Sequence, residues 1–374
     1  MTLTDAQRLK FRLLAEGLQI AERAELAIRA ATDDEQFSSA DYASTTGVIL
    51  RLDDDVWVNA PTRVFNPNFV GSSPYTLEWD GESFIVEGGG LASAARYWPQ
   101  PAYHGGTGAL GEPLNRFVFT HGDRARLAPV QGCGMTCKFC NIPYEDRYGT
   151  KSINAMVDAL GRAIGDPVQP AHHVLISGGT PHPRDIEYLQ EVYRTMFLEF
   201  PTTDIDIMMV PIPGLLDIDA LQKLGVHQLS INIEIYSSSI AKDLMRQKYR
   251  QGRDEYLRFI EEAATKLGAG LVRSMLMVGL EPIEDTLRGV EAILERGGVP
   301  VLSPFRPDPA TPLRSLAPPS ALQLEEAFLR ATELAAERGV SLGPDCIPCT
   351  HNTLTLAGVD GAPVVYPYHS PVLI

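Results

Sequence analysis

The chain has 374 residues, of which 44% are hydrophobic and 21% charged, and its formal net charge at pH 7 is −15. Nucleic-acid binders usually carry a basic patch, and the one stretch rich in Lys and Arg, residues 242–253, has the pattern of a helix face and a loop, so we expect no nucleic-acid partner. No apolar run approaches the roughly 20 residues of a membrane span, and the amphipathic N-terminus is unlike a signal peptide. We therefore expect a cytoplasmic protein, without a membrane partner, that acts on a small molecule.

The first third of the chain predicts a mixed α+β region. Residues 1–31 read as a helix, and alternating apolar and polar residues follow in strand-like runs. A hairpin is predicted to turn at Asp80 and Gly81, because an Asp-Gly pair there separates two alternating segments. We interpret residues 1–122 as an N-terminal α+β extension that packs on the main domain.

The middle of the chain predicts a parallel α/β architecture. From residue 123, six short apolar runs alternate with amphipathic helical stretches, which is typical of parallel βα units. Six units are too few for an eight-fold barrel, so residues 123–315 are predicted to form a partial (β/α)6 TIM-type barrel. Residues 316–374 would add a strong helix and a Cys-x2-Cys element that caps the barrel.

Three of the five cysteines lie within eight residues, at Cys133, Cys137 and Cys140. They follow the first apolar run, and in parallel α/β proteins the carboxyl ends of the strands carry the chemistry. A disulfide needs two thiols and a structural zinc site needs four ligands, whereas three thiolates on a four-iron cluster leave one iron open. An alternative is a zinc site that a distant His completes.

The spacing Cys-x3-Cys-x2-Cys, with Phe139 just before the last cysteine, resembles the signature of the radical S-adenosylmethionine (SAM) superfamily. The resemblance implies a [4Fe–4S] cluster whose open iron chelates the amino and carboxylate groups of SAM. It also implies that an electron, from a donor such as ferredoxin or flavodoxin, cleaves SAM to methionine and a 5′-deoxyadenosyl radical that abstracts hydrogen from the substrate.

The second apolar run ends in Ser-Gly-Gly-Thr-Pro, residues 177–181, and resembles the GGEP-type motif of that superfamily. The resemblance implies that backbone groups of Gly178, Gly179 and Thr180 contact the methionine amine of SAM, although Thr180 stands where Glu is commoner. Glycines suit such a role because a residue without Cβ admits close approach to the backbone. An ordinary strand-to-helix turn is the alternative.

The fourth run places Ser230, Asn232 and Glu234 on one face by period-two alternation. Asn232 and Glu234 are similar to the Asn-x-Asp segment of the biotin synthase branch, which implies contacts with the ribose and methionine parts of SAM. A hydrogen-bonded network inside the barrel is the alternative, because buried polar groups need partners.

The fifth run contributes two further expectations. Arg273 is a candidate clamp for the methionine carboxylate, since a guanidinium offers two parallel donors. Val278 and Gly279 lie in a Met-Val-Gly-Leu-Glu segment that resembles the adenine-lining motif of the superfamily. Beyond it, the Pro-rich segment 303–313 loosely resembles the end of a biotin synthase-like barrel, and Arg306 there could face substrate or solvent.

Cys346 and Cys349 form a second group, and three interpretations stay open for it. They could bind an auxiliary iron–sulfur cluster together with other ligands, or zinc together with His351, or form a redox pair or inert thiols. Because the pair would suit a sulfur source, the first functional expectation is sulfur insertion by a transferase. A redox-neutral rearrangement, epimerisation or dehydrogenation, and a non-catalytic iron–sulfur maturation role, are the alternatives.

Overall fold

The computed structural model describes residues 2–32, 46–109, 111–358 and 371–374, and the first part of the chain forms a sheet with two helices. Where one helix was predicted over 1–31 there are two, because Gly17 adopts a φ of 75° and a Cβ there would lie 2.6 Å from the Pro61 carbonyl oxygen. The elements are α1 (Asp5–Glu16), β1 (Gln19–Ile20), α2 (Glu22–Ala31), β2 (Val48–Leu52), β3 (Val56–Ala60), β4 (Thr76–Trp79), β5 (Phe84–Gly88) and β6 (Leu91–Tyr97).

The six strands of this first sheet follow the order β1-β4-β5-β6-β2-β3. The predicted hairpin at Asp80 and Gly81 is confirmed, since β4 and β5 pair in antiparallel fashion around it. Asp80 closes the turn by accepting hydrogen bonds from the backbone N–H groups of Glu82 and Ser83 through one carboxylate oxygen, both at 2.8 Å.

The second sheet has seven strands, and six of them run parallel in chain order with helices between them. The fold is thus mixed α/β with a curled sheet, as the alternation of apolar runs predicted. The elements are β7 (Val118–His121), β8 (Arg124–Leu127), β9 (Val130–Gln131), α3 (Ile142–Glu145), β10 (Gly149–Thr150), α4 (Ile153–Ile164), β11 (His173–Ile176), α5 (Ile186–Glu199), β12 (Asp204–Met208), α6 (Ile218–Leu224), β13 (Leu229–Ser230), α7 (Ser238–Leu244), α8 (Arg246–Gln251), α9 (Arg253–Leu267), β14 (Val272–Val278), α10 (Ile283–Leu294), β15 (Val299–Pro304) and α11 (Ala321–Glu337).

The strand order of this sheet is β15-β14-β13-β12-β11-β8-β7, with β7 antiparallel to β8 at one edge. The last strand before residue 123 therefore belongs to the same sheet as the parallel strands. The predicted domain limits at 122/123 and 315/316 stay a prediction. The carboxyl ends of β8 and β11–β15 all lie at one end of the curled sheet, and their amino ends at the other.

The described residues of the C-terminal segment, up to 358 and from 371, contact both sheets. A 3-10 helix covers Pro348–Asn352, the N–H of Leu354 donates to the carbonyl of Leu302 in β15 at 2.9 Å, and Ile374 exchanges two backbone hydrogen bonds with Tyr97. Helix α11 packs on α1, where the rings of Phe11 and Phe328 are 5.4 Å apart. Within the described ranges, no helix is long and apolar enough to cross a membrane.

Candidate active site

The loop that carries the three neighbouring cysteines is held against the loop that follows β11. The Cys133 sulfur accepts hydrogen bonds from the backbone N–H of Met135 at 3.3 Å and of Thr180 at 3.1 Å, and the Gly134 N–H donates to the Thr180 carbonyl at 2.8 Å. Two segments about 45 residues apart in the chain are thereby fixed side by side.

Gly179 makes this contact possible. A Cβ at this position would lie 1.7 Å from the carbonyl oxygen of Gly132 and 2.8 Å from the Cα of Cys133. No side chain fits there, so the glycine lets the cysteine loop approach the backbone. The contact of Gly178, Gly179 and Thr180 with SAM stays a prediction, and Gly178 and Thr180 do line the cavity described below.

Cys137 and Cys140 are fixed by apolar packing. Cys137 and Phe139 are both less than a tenth exposed and lie in a small cluster with Phe305 and residues of α7. Burial, and after it the charge of Glu234, raise the pKa of Cys137 well above its ordinary value, and burial raises the pKa of Cys140 to about 12. Such thiols become thiolates at neutral pH when a metal takes the place of the proton.

All three thiols line one cavity, which lies at the carboxyl ends of the parallel strands. The curl of the sheet brings residues from β12, β13, β14 and β15 to the same cavity, and its surface is mainly apolar. Five of the nine methionines of the chain lie there: Met135, Met208, Met209, Met275 and Met277.

An ion pair between Glu234 and Lys248 lines one side of the cavity. Its charged atoms are 2.8 Å apart, and both side chains are mostly buried. Glu234 has a φ of 66°, which is unusual for a residue with a side chain, and two backbone hydrogen bonds with Met275 and Met277 hold it there. Burial alone would lower the pKa of Lys248, but Glu234 and, after it, Tyr256 and Cys137 together outweigh burial and hold that pKa above its usual value. Backbone strain at a cavity is often a functional feature.

Asn232 lies beside this pair and also faces the cavity. Its side-chain oxygen accepts hydrogen bonds from the Ser230 hydroxyl at 2.9 Å and from the Met275 N–H at 3.1 Å. An internal hydrogen-bond network therefore exists on this strand, and the contacts of Asn232 and Glu234 with SAM stay a prediction.

Arg306 also lines the cavity and is buried, so it faces the interior and not solvent. Its guanidinium donates to the Asn59 carbonyl at 2.6 Å, which links the cavity to the first sheet. Burial lowers the pKa of Arg306 to about 9, and the group remains protonated at neutral pH.

Arg273 does not line this cavity, contrary to the expectation that it clamps the methionine carboxylate. It forms a buried ion pair with Asp206 at 2.5 Å and approaches Asp345 at 3.9 Å, near the amino ends of the strands. Burial would raise the pKa of Asp206, but Arg273 and then His227 outweigh it and hold that pKa at about 2.

Val278 and Gly279 lie at the end of β14, and their contact with adenine stays a prediction. The Val278 side chain is buried in the main hydrophobic core, and a Cβ at Gly279 would lie 2.8 Å from the Pro319 ring. The neighbouring Met277 is the residue of this segment that lines the cavity.

Cys346 and Cys349 lie at the opposite end of the sheet from the other three cysteines. They are buried with Asp123, which precedes β8, and His173, which begins β11. The zinc interpretation named His351 as a partner, but His351 contacts the Pro348 carbonyl at 2.6 Å and the ring of His121. Asp123 and His173 were not among the ligands predicted from sequence. The signal that could have indicated them is a charged or polar residue at the start of an otherwise apolar strand.

Comparison with known proteins gives a family match over less than half of the chain. The family model described as the radical SAM superfamily matches residues 127–297, which include the three cysteines of the loop. This match supports assignment of that region to the radical SAM superfamily, whose members are enzymes that use a [4Fe–4S] cluster, SAM and an electron donor. A search of curated proteins gave no match.

Several solved structures are similar over part of the chain. The FeFe-hydrogenase maturase HydG from Carboxydothermus hydrogenoformans shares 20% identity at a TM-score of 0.39, over 46% of this chain and 40% of that one. A radical SAM methyltransferase from Sphaerobacter thermophilus shares 14% identity at 0.45, over 72% and 76%. Streptococcus suis SuiB, bound to the precursor peptide SuiA, shares 13% at 0.42, over 63% and 51%. The chain therefore spans less than half of the HydG chain, and the likeness does not define a reaction or a biotin synthase-like branch.

Proposed function

We propose that the protein is a radical SAM enzyme that abstracts a hydrogen atom from a small molecule held in the cavity beside Cys133, Cys137 and Cys140. The observation that carries the proposal is the convergence of these three thiols on one largely apolar cavity at the carboxyl ends of the strands. Three soft thiolate ligands fit an iron–sulfur cluster with one iron left for a further ligand.

When bound, the cluster supplies an iron that chelates SAM and the electron that cleaves it to the 5′-deoxyadenosyl radical. The chain contributes two backbone N–H groups, from Met135 and Thr180, that donate to the Cys133 sulfur. Hydrogen bonds to a ligand sulfur stabilise negative charge on it and so tune the reduction potential of a cluster.

The polar groups of the cavity divide into two sets with different proposed roles. Asn232 and the ion pair of Glu234 with Lys248 come from one side, and we assign them to SAM. Arg306 comes from the segment after β15, and its buried guanidinium suits a carboxylate or phosphate of the substrate. The preferred substrate is thus a small molecule with an anionic group.

The methionine lining suits radical chemistry. Thioether side chains are apolar and flexible, so they exclude water and adapt to the shape of a ligand. Exclusion of water protects a reactive intermediate from side reactions.

Sulfur insertion, the reaction first expected, has no supporting observation. Cys346 and Cys349 do not line the cavity, and they lie at the amino ends of the strands. We therefore propose a reaction in which no sulfur is inserted. In a rearrangement the hydrogen atom returns from 5′-deoxyadenosine, in an epimerisation a hydrogen-atom donor quenches the substrate radical, and in a dehydrogenation the radical gives one electron to an acceptor and a proton to solvent.

The test is cleavage of SAM by anaerobically reconstituted protein reduced with dithionite. We expect 5′-deoxyadenosine from the wild type, and none from Cys137→Ala, which also loses cluster iron. Thr136→Ala is the matched control, because Thr136 is exposed in the same loop, and it should retain both cluster and product. A fully loaded cluster without 5′-deoxyadenosine would reject the enzyme and favour the maturation role.

A further inference from the structure

The amino ends of the parallel strands carry a second group of potential metal ligands. Asp123 and His173 come from the first two parallel strands, and Cys346 and Cys349 come from the C-terminal segment about 170 residues later. All four side chains are at most 3% exposed. Burial of two thiols, a carboxylate and an imidazole together is costly unless something compensates for it.

The four ligand atoms are spaced as one ion requires, and all lie within 4.8 Å of one another. A tetrahedral Zn²⁺ with bonds of about 2.0–2.3 Å sets its ligand atoms about 3.3–3.8 Å apart. His173 Nε2 lies 3.3 Å from Asp123 Oδ1 and 3.4 Å from the Cys349 sulfur. Asp123 Oδ1 lies 3.1 Å from the Cys346 sulfur and 3.8 Å from the Cys349 sulfur.

The two sulfurs are 2.6 Å apart, and this contact departs from the tetrahedral spacing. It is longer than the roughly 2.05 Å of a disulfide and shorter than the roughly 3.8 Å that one zinc ion would set between two thiolates. Zinc would therefore move the two sulfurs about 1 Å farther apart than they are in this structure.

The charges of the site balance for a divalent ion. Two thiolates and one carboxylate carry three negative charges, and His173 ligates as a neutral imidazole. Zn²⁺ offsets two of these charges, and Arg124, which interacts electrostatically with both thiols, offsets the third.

A cluster fits these residues less well than a single ion does. An iron–sulfur cluster distributes its ligands over two or four irons with sulfides between them, so its ligand atoms lie farther apart than those of one ion. Two sulfurs, one nitrogen and one oxygen are ligands that zinc accepts, and four protein ligands make a closed structural site.

We propose that Asp123, His173, Cys346 and Cys349 bind one Zn²⁺ tetrahedrally, and that this site fastens the C-terminal segment to the amino ends of the parallel strands. On binding, the site releases two protons to solvent, so that both cysteines ligate as thiolates and His173 as a neutral imidazole, and no redox change occurs. The site is separate from the proposed radical chemistry, and neither depends on the other.

The experiment uses the full chain with Cys133, Cys137 and Cys140 changed to Ala, so that metal at the second site is measured alone. The probes are Zn²⁺, quantified by mass spectrometry, and Co²⁺, whose tetrahedral thiolate complexes have characteristic visible and charge-transfer bands. We expect one ion per chain and a tetrahedral cobalt spectrum that Zn²⁺ abolishes. The wild-type chain, purified with its cluster, should contain one zinc besides its iron.

Variants identify the ligands. Loss of an orienting partner usually weakens metal affinity by about 10–100-fold, so His173→Gln and Asp123→Asn should each weaken it at least about tenfold. Cys346→Ser with Cys349→Ser should abolish binding. His172→Gln is the matched neighbour of His173, and it and His351→Gln should keep the ion.

Three results would overturn the proposal. The first is a Cys346–Cys349 disulfide, detected as thiols that react only after reduction, in a chain that binds no Zn²⁺ when reduced. The second is iron and sulfide bound at this pair in the chain without the three loop cysteines. The third is loss of zinc on His351→Gln but not on His173→Gln.

If a variant fails to fold, the cobalt spectrum of the chain with the pair intact still decides between one tetrahedral ion and none. Cleavage of SAM by the wild type tests the proposed function separately.

Discussion

The two groups of cysteines lie at opposite ends of the same curled sheet, and they differ in how complete their surroundings are. Cys133, Cys137 and Cys140 open onto a cavity, whereas Cys346 and Cys349 are packed against a carboxylate and an imidazole. Catalytic metal sites keep a coordination position open, and structural sites fill every position with protein ligands. The number of partners around each group, more than the presence of cysteine, therefore indicates what each end of the sheet does.

At the amino ends of the strands, here called the closed end because it holds Cys346 and Cys349 with their partners, Arg273 and Asp206 form a buried ion pair. Arg273→Met leaves the buried Asp206 carboxylate without its cationic partner, so we expect the free energy of unfolding to fall by about 3–5 kcal/mol. Iron content and the KM for SAM should stay unchanged, which denaturant unfolding and a SAM cleavage assay can measure.

A control and a pH dependence follow from the same pair. Arg273→Met combined with Asp206→Leu should recover much of the loss, because no unpaired charge remains. The folded pKa of Asp206 is about 2 and its unfolded value is near 3.8, so its contribution is complete above about pH 4 and is lost as the pH falls toward 2. Weakened SAM binding with unchanged stability would instead restore the predicted role of Arg273 as a clamp.

Gly179→Ala tests the open end, the carboxyl ends of the strands where Cys133, Cys137 and Cys140 line the cavity. The new Cβ would overlap the Gly132 carbonyl and push the cysteine loop away, at a cost of about 3 kcal/mol, and should lower the iron content of the reconstituted protein. Gly161→Ala is the matched control, since α4 has open space at that position and should gain about 1 kcal/mol. A Gly179→Ala variant that keeps its stability and its iron would contradict the close approach of the two loops.

Arg306 lines the cavity at the open end and is a candidate ligand of the substrate. If it binds an anionic group of the substrate, Arg306→Met should raise the substrate KM about 10-fold or more, equivalent to about 1.4 kcal/mol, with little change in the cleavage of SAM alone. Arg306→Lys should recover part of the affinity, because the charge remains but the two-pronged geometry is lost. Reduced SAM binding in Arg306→Met would assign this residue to the cofactor.

The smallest effect concerns Lys10, which donates to the carbonyls of Thr350 and Thr355 in the C-terminal segment at 3.0 and 2.5 Å. Burial lowers its pKa from 10.5 to about 7, so above pH 7 the unfolded chain binds more protons than the folded one. Stability should therefore rise with pH, by about 1 kcal/mol between pH 7 and 8. Thermal unfolding across this range would measure the slope, which should disappear in Lys10→Met; an unchanged slope would show that another group titrates.

The open end was accessible from sequence because its signals are local. The cysteine spacing spans eight residues, and the alternation of apolar runs with amphipathic stretches predicted the order of strands and helices. The closed end was accessible only in part. The spacing of Cys346 and Cys349 is a local signal, but Asp123 and Cys346 are 223 positions apart and no pattern in the chain links them.

Arg273 shows where local patterns stop being informative. Alternation places residues 273, 275 and 277 on one face of β14, but the height of each residue along the strand depends on the register with its neighbours. Two residues span about 7 Å, and that distance separates Met275, in the cavity, from Arg273, beside Asp206. The face of β14 on which Arg273 lies was predictable from alternation. Its position along the strand axis required knowledge of how β14 pairs with β13 and β15.

The methionine lining of the cavity has a consequence for handling the protein in air. Oxidation converts a methionine thioether into a polar, chiral sulfoxide, and five of these side chains surround the three thiols. Iron and sulfide can be restored to a damaged cluster in the test tube, but a sulfoxide needs a dedicated reductase. Protein once exposed to oxygen would thus regain its iron content without regaining its affinity for an apolar ligand.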